Sequence, residues 1–290
     1  MHKLKILYYS IVGYCYKLLI DFNLLSIPQL KGEGTLIVSL TSYGRRVSSC
    51  VVYYTLVSLL RQSVQPYKIV LWLAENEWNS TTLPLKLNAL IKNGVEIKYC
   101  KDIRSYKKLI PTIENYPGYD IMTVDDDVYY DKHTIKNALL EQKIHPNAII
   151  CQNAVIPVIK DGVPTNYLEW KESYSNILGK LIFPIGVGGV LYPKNSLHPD
   201  VLREDLFQNL CPLADDIWFW FCGLLNGTEK IYIKKKHQDY SYDAIYQYFH
   251  NGSALSHVNR TEHANDKQVR DLFKFYSVAL SDDGNLYSLK

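Results

Sequence analysis

The sequence predicts an α/β fold, a mostly parallel central sheet flanked by helices. Three observations predict it. From residue 35 to about residue 130, apolar runs of strand length alternate with stretches of helical periodicity, joined by short polar connections. Such alternation builds right-handed crossovers and therefore parallel neighbours. The run Tyr119–Val124 is apolar but for Asp120 and Thr123, as suits a strand largely covered on both faces, and it stops abruptly at Asp125-Asp126-Asp127. In an open parallel sheet, ligands bind beyond the carboxyl ends of the strands, which is where this triplet falls.

The elements follow in order. Ile6–Tyr16 is apolar and aromatic, with Lys3, Lys5 and Lys17 around it. It is too short to span a bilayer and lacks a small-residue cleavage site. Two readings stay open, a helix packed on the domain or a segment resting on a membrane with its lysines on anionic lipid. Residues 1–30 are expected to lie outside the core sheet. Leu36–Leu40 is the first strand, and Thr41–Arg46 is a polar loop at its end. Ser48 or Ser49 is expected to cap a helix running to about Gln62. Tyr67–Leu73 is the second strand, Leu83–Lys92 a helix ended by Gly94, and Val95–Tyr99 the third strand. A basic segment with Arg104, Lys107 and Lys108 follows. On a helix these three share one face, which is either a site for anionic phosphate or an ordinary solvated surface. A break at Pro117-Gly118 leads into the fourth strand. Farther on, Gly186–Gly189 follows an apolar run, and Ala214-Asp215-Asp216-Ile217-Trp218 reads as a helix start with Asp215 as its cap. Val269–Leu280 reads as a closing helix. Repeats and low-complexity linkers are absent, so the expectation is one domain over 31–290.

Composition narrows the partners. Lys+Arg 32 against Asp+Glu 29 gives a net charge of +3, too balanced for nucleic acid as the main partner. The 24 tyrosines against 8 phenylalanines suit clefts that stack rings and offer hydroxyls, and equally suit half-buried filler positions. The six cysteines, at 15, 50, 100, 151, 211 and 222, form no CxxC pair or zinc spacing, which fits reduced thiols in a cytosolic protein. No GxGxxG follows the first strand, no GxxxxGK[ST] occurs, and no GxSxG elbow occurs.

The triplet carries its own chemistry. Adjacent carboxylates repel, more so when partly buried, and a cation relieves the repulsion. An all-oxygen set suits Mg²⁺ or Mn²⁺ with substrate phosphates completing the shell. On an extended backbone Asp125 and Asp127, at i and i+2, project to one side and can share an ion. The bland alternative is a solvated turn or a helix cap.

Taken in order, Leu36–Arg46, Ile69–Leu73, Asp102–Leu109, Val124–Asp127, Gly186–Gly189 and Ala214–Trp218 resemble bacterial glycosyltransferases of the GT-A type, enzymes that build surface polysaccharides such as capsule or O-antigen. The resemblance covers about residues 34–280. It implies the Rossmann-like GT-A fold, with a nucleotide-sugar half over about 35–130 and an acceptor half over about 131–290. It also implies a nucleotide-diphosphate sugar donor, a UDP-sugar in preference, and Mn²⁺ or Mg²⁺ held by an Asp-x-Asp motif. In such enzymes the first carboxylate faces the sugar or ribose and the last ligates the metal, so Asp125 and Asp127 become metal ligands and Asp125 and Asp126 donor contacts. His257 becomes a further metal candidate, with His263 and Asp266 behind it. Thr41, Tyr43, Arg45, Asp102, Arg104, Lys107, Gly188 and Gly189 are the other donor-site candidates. Asp216, with Asp215 second, is the candidate general base of an inverting transfer. Trp218 and Trp220 offer faces to a sugar, with core packing the alternative for at least one of them. The acceptor would be a glycan or lipid-linked glycan, with the enzyme a hexosyltransferase in the cytoplasm or at the inner face of the membrane. A catalytically silent nucleotide-sugar scaffold and a nucleotidyltransferase are the competing readings.

Overall fold

The computed structural model describes residues 2–172, 177–233, 241–242 and 264–289. The chain divides into two compact units, Met1–Leu140 with Lys235–Asn251, and Glu141–Lys234 with Gly252–Lys290.

The first unit is built on a parallel sheet. Its strands are β1 (Leu36–Thr41), β2 (Lys68–Ala74), β3 (Val95–Cys100) and β4 (Asp120–Thr123), and they lie side by side in the order β4-β1-β2-β3. All three pairings are parallel, with Val38 opposite Ile69 on one side and Met122 on the other. Leu36 to Leu40 are buried without a break, which is why the run is apolar at every position but Ser39. Helix α1 (His2–Asp21) precedes the sheet. The segment expected to be one helix from Ser48 or Ser49 is two. Helix α2 (Gly44–Ser48) ends, Cys50 adopts a left-handed conformation at φ 59°, and α3 (Val51–Leu60) begins with neither serine capping it. Every residue of α3 is buried, so it lies within the core rather than along its edge. Helix α4 (Leu85–Ile91) starts after Pro84, and the chain leaves it through Gly94 at φ 96°.

The basic segment is a tight 3₁₀ turn over Arg104–Lys108, followed by α5 (Ile110–Asn115). This corrects the single basic face, because Lys107 and Lys108 are buried while Arg104 is exposed at φ 58°. Thr112 of α5 satisfies two buried polar groups of the sheet. Its hydroxyl pairs with Ser39 Oγ at 2.7 Å and accepts from Trp72 Nε1 at 2.7 Å.

The sheet order carries the functional geometry. The chain moves outward from β1 to β2 and β3, then returns to β4 on the opposite side of β1. The strand order therefore reverses between β1 and β4, and the loops leaving those two strands open the crevice where such sheets bind ligands. One is Ser42–Arg46, whose last three residues form the start of α2, and the other is the aspartate triplet. After the triplet comes β5 (Val128–Tyr129), which pairs antiparallel with Ser241–Tyr242, and then α6 (Thr134–Ile144).

The second unit is mixed. Its strands are β6 (Ile149–Cys151), β7 (Ala154–Ile156), β8 (Ile159–Lys160), β9 (Val163–Pro164), β10 (Lys171–Glu172), β11 (Ile177–Gly179), β12 (Phe183–Pro184), β13 (Val190–Tyr192) and β14 (Lys230–Tyr232). β6 pairs parallel with β14 and antiparallel with β13, while β10, β7 and β12 form a small sheet. Helices α7 (Glu204–Leu210), α8 (Asp215–Leu225) and α9 (Ala264–Tyr276) complete it. The closing helix is shorter than expected at its end, since Ser277 turns at φ 52° into a strand over Val278–Leu280.

Candidate functional site

The triplet does not stay extended. β4 ends at Thr123 and the backbone turns through Asp126 and Asp127, so the expected extended placement of Asp125 and Asp127 is replaced by a turn. Asp126 points into the protein and is 4% exposed. Ser42 donates to its Oδ2 at 2.6 Å, Arg46 Nη1 donates to its Oδ1 at 2.5 Å, and Thr55 donates to its main-chain oxygen at 2.8 Å. Arg46 reaches Asp127 as well, Nη2 to Oδ2 at 2.9 Å. One guanidinium from the β1 loop thus cross-links two neighbouring carboxylates of the β4 loop, a planar fork matched to paired oxygens. Burial raises the Asp126 carboxyl above its ordinary range, and Arg46 and the Ser42 hydroxyl oppose that rise.

Asp125 is held differently. Its main-chain N–H donates to the Tyr130 hydroxyl at 2.8 Å, and Lys108 Nζ lies 3.9 Å from its carboxylate. Tyr130 is fixed in turn, its N–H donating to Ser58 Oγ at 3.0 Å. Lys107 pairs with Asp102, and Arg104 N donates to Asp102 Oδ1 at 3.0 Å. Desolvation would lift the Asp102 carboxyl, but the Lys107 and Arg104 hydrogen bonds hold it below the usual range.

The β1 loop places its other candidates as follows. Thr41 donates to the main-chain oxygen of Trp72 at 2.9 Å, and Arg45 is exposed. Tyr43 is 52% exposed, with the Arg46 guanidinium carbon 5.5 Å from its ring centre. Thr55 and Tyr130 are the site residues that no sequence motif singles out, whereas Lys108 belongs to the basic segment and Ser42 and Arg46 to the Thr41–Arg46 stretch. The available signal was electrostatic, since three adjacent carboxylates at a strand end demand cations from the neighbouring strand's loop.

In the second unit Gly186–Gly189 is a tight turn joining β12 to β13. Gly189 N donates to Gly186 O at 3.1 Å, and Gly188 and Gly189 both sit at φ 98°, a conformation L side chains rarely adopt. Asp216 holds this turn, its Oδ2 accepting from Gly186 N at 3.0 Å. Asp215 and Asp216 occupy the first turn of α8, and the cap residue is Ala214, which corrects Asp215 as the cap. Acidic residues there also complement the helix dipole. Trp218 and Trp220 are fully buried at 0% and 1% exposure, so neither offers a face to a sugar. Asp266 is a structural acceptor for Tyr167 N at 2.7 Å. His257, His263 and Lys234–Lys236 lie outside the described residues.

Among the described residues no group of three His, Cys, Asp or Glu side chains is placed to hold a metal ion by itself. The triplet fits a hard cation only in part. Asp125 and Asp127 have side chains that are 33% and 12% exposed and supply oxygen, while Asp126 is enclosed by Ser42 and Arg46. Substrate oxygens would have to complete such a shell, as is usual for Mg²⁺ on phosphates.

No protein-family model matches the chain, and no curated protein matches it. Among solved structures, S. aureus TarS 1-349 is similar at 15% identity over 84% of this chain and 72% of that one, with a TM-score of 0.48. The same protein in complex with UDP is similar at 15% identity over 84% and 72%, with a TM-score of 0.47. CMP:2-keto-3-deoxy-manno-octonic acid synthetase complexed with CTP is similar at 8% identity over 78% of this chain and 100% of that one, with a TM-score of 0.44. What the site can do rests on its own residues.

Proposed function

We propose that the chain is a metal-dependent glycosyltransferase of the GT-A type. In this reading it moves a sugar from a nucleotide-diphosphate sugar, a UDP-sugar in preference, to a growing cell-surface polysaccharide or lipid-linked oligosaccharide. The observation that carries the reading is the Arg46 cross-link to Asp126 and Asp127 at the point where the strand order reverses. Three adjacent carboxylates gather there at a ligand-binding edge, with Arg46 and Lys108 beside them. A diphosphate adds more negative charge, so donor binding needs a further cation. Asp125 and Asp127 would hold Mn²⁺ or Mg²⁺ together with diphosphate oxygens, and the ion would neutralise charge growing on the leaving group.

The chain's own residues do the rest. Asp126 holds the turn closed through Ser42 and Arg46. Tyr43 offers an exposed ring to the base, and Asp102 and Lys107 offer polar contacts beside it. Asp216 takes the proton from the acceptor hydroxyl. The acceptor oxygen bonds the anomeric carbon, and the bond to the diphosphate oxygen breaks with its electron pair leaving on the nucleoside diphosphate. Attack from the face opposite the leaving group inverts the anomeric carbon. Gly188 and Gly189 let main chain approach the sugar closely.

The test is incubation with a panel of UDP-, GDP- and CMP-sugars and Mn²⁺, with and without Asp127→Ala. Donor hydrolysis or transfer that is lost in the variant supports the reading. Turnover that survives the substitution removes the metal role, and donor binding without turnover across acceptors points to a scaffold.

A further inference from the structure

Helix α1 has two unlike faces, and only one is explained by the fold. Its inner face is tied to the first unit. Ile20 is buried, Tyr16 packs on Tyr129 with ring centres 5.2 Å apart, and Lys17 Nζ lies 5.2 Å from the Tyr54 ring centre. Asp21 closes the attachment, accepting from the Tyr54 hydroxyl at 2.9 Å and from Lys86 Nζ at 2.7 Å. The C-terminal end of the helix is therefore held against the first unit.

The outer face is apolar and exposed. Ile11, Tyr14, Leu19 and Phe22 lie on it, followed by Leu24, with Ile11 at 55% and Phe22 at 69% exposure. Several large exposed apolar groups along one face of a helix are not the usual surface of a water-borne protein and point to a docking site. Its charge says what docks. Residues 1–31 contain Lys3, Lys5, Lys17 and Lys31, and the one acid, Asp21, is neutralised by Lys86. A second copy would bring together two segments of net positive charge, which an isologous contact disfavours. An anionic lipid surface matches both features, apolar side chains entering the headgroup boundary and lysines meeting lipid phosphate. Spanning is a different matter, since no helix among the described residues is long and apolar enough to cross a membrane.

We propose that α1 is an interfacial docking helix that lays the protein flat on an anionic bilayer through Ile11, Tyr14, Leu19, Phe22 and Leu24. This does not depend on the transferase reading, and its readout requires no donor or turnover.

The experiment is flotation of the full chain with phosphatidylglycerol-rich vesicles and with phosphatidylcholine vesicles. The comparison includes Ile11→Ser/Phe22→Ser, Leu24→Ser alone, and Lys3→Gln/Lys5→Gln. The wild type is expected on the anionic vesicles, with a weaker association to phosphatidylcholine that salt does not change. The apolar double variant should lose about tenfold in partitioning, and the lysine variant should lose the preference for anionic lipid. The thermal midpoint of the apolar variants should not move, because Ile11, Phe22 and Leu24 are exposed, and Leu24→Ser keeps the test open if the double variant fails to fold. Unchanged partitioning of the apolar variants would overturn the proposal. So would a wild-type dimer in sedimentation velocity that the apolar variants dissociate, since the face would then belong to a second copy.

Discussion

Replacing Asp126 tests the architecture of the acidic turn without any assumption about substrate. The carboxylate is buried and accepts from Ser42 and Arg46. Asp126→Ala leaves a buried serine hydroxyl and one edge of a guanidinium without their acceptor. Breaking a buried pair by removing one partner costs about 3–5 kcal/mol. Here the Arg46 side chain is 22% exposed and keeps its contact to Asp127, which brings the ion-pair part down to about 2 kcal/mol. The orphaned Ser42 hydroxyl adds about 1 kcal/mol, for a total of about 3. Asp126→Asn keeps an acceptor for Ser42 and should cost about 1–2 kcal/mol. Urea unfolding of Asp126→Ala, Arg46→Met and the double variant reads this directly. The double variant should be less destabilised than the sum of the two singles by about 1–2 kcal/mol, because each single change already breaks the shared contact. Loss should be nearly independent of salt, since a pair this buried is weakly screened. A cost for Asp126→Ala below about 1 kcal/mol, or additive single changes, would refute the view of Arg46 and Asp126 as the clamp of the turn.

Other expectations follow from single sites. Lys230 is fully buried with its Nζ donating to the main-chain oxygens of Lys180 and Thr228, and burial pulls its ammonium down to about 7. The unfolded chain then binds more protons than the folded one between about pH 7 and about pH 10.5, so stability rises with pH across that window. Lys230→Met should accordingly stabilise by about 2–3 kcal/mol at pH 6 and become neutral or destabilising near pH 10, read by denaturant midpoints at both pH values. Thr112→Val removes the partner of Ser39 and Trp72 and should cost about 2 kcal/mol by chemical denaturation. Asp216→Asn keeps an acceptor for Gly186 N, so donor affinity should hold while kcat falls by about 10²–10⁴ in a transfer assay. Gly188→Ala forces a side chain to φ 98° and should cost about 1–2 kcal/mol in thermal or urea unfolding.

The sheet that carries the aspartate triplet is largely legible in the sequence. Continuous apolar runs separated by helical patterns set β1 to β4 as parallel neighbours, and the triplet could be located at the end of β4 from its flanks alone. The partner of the triplet was not legible, because it depends on where the strand order reverses. Nothing local in Ser42–Arg46 shows that Arg46, rather than Arg45, points across to β4. The break at Cys50 escaped notice for a related reason, since a left-handed cysteine carries no glycine or asparagine signature. Lys107 and Lys108 are open to two readings, a phosphate site or a solvated face, and their burial beside Asp102 and Asp125 is in neither because lysine is seldom buried. Core packing, one of the two readings open for Trp218 and Trp220, holds for both. Ile217–Leu225 is apolar on every side, and such a helix belongs in the core.

The most direct measurement of the central claim is turnover of UDP-sugars with and without Mn²⁺ by the wild type and by Asp127→Ala. Binding of UDP and Mn²⁺ to both proteins would be followed in parallel by calorimetry. The account predicts metal-dependent release of UDP by the wild type, with Mn²⁺ binding strengthened by UDP. Both should be abolished in Asp127→Ala while its fold persists. Metal-independent turnover, or Mn²⁺ binding that is indifferent to both UDP and Asp127, would contradict it.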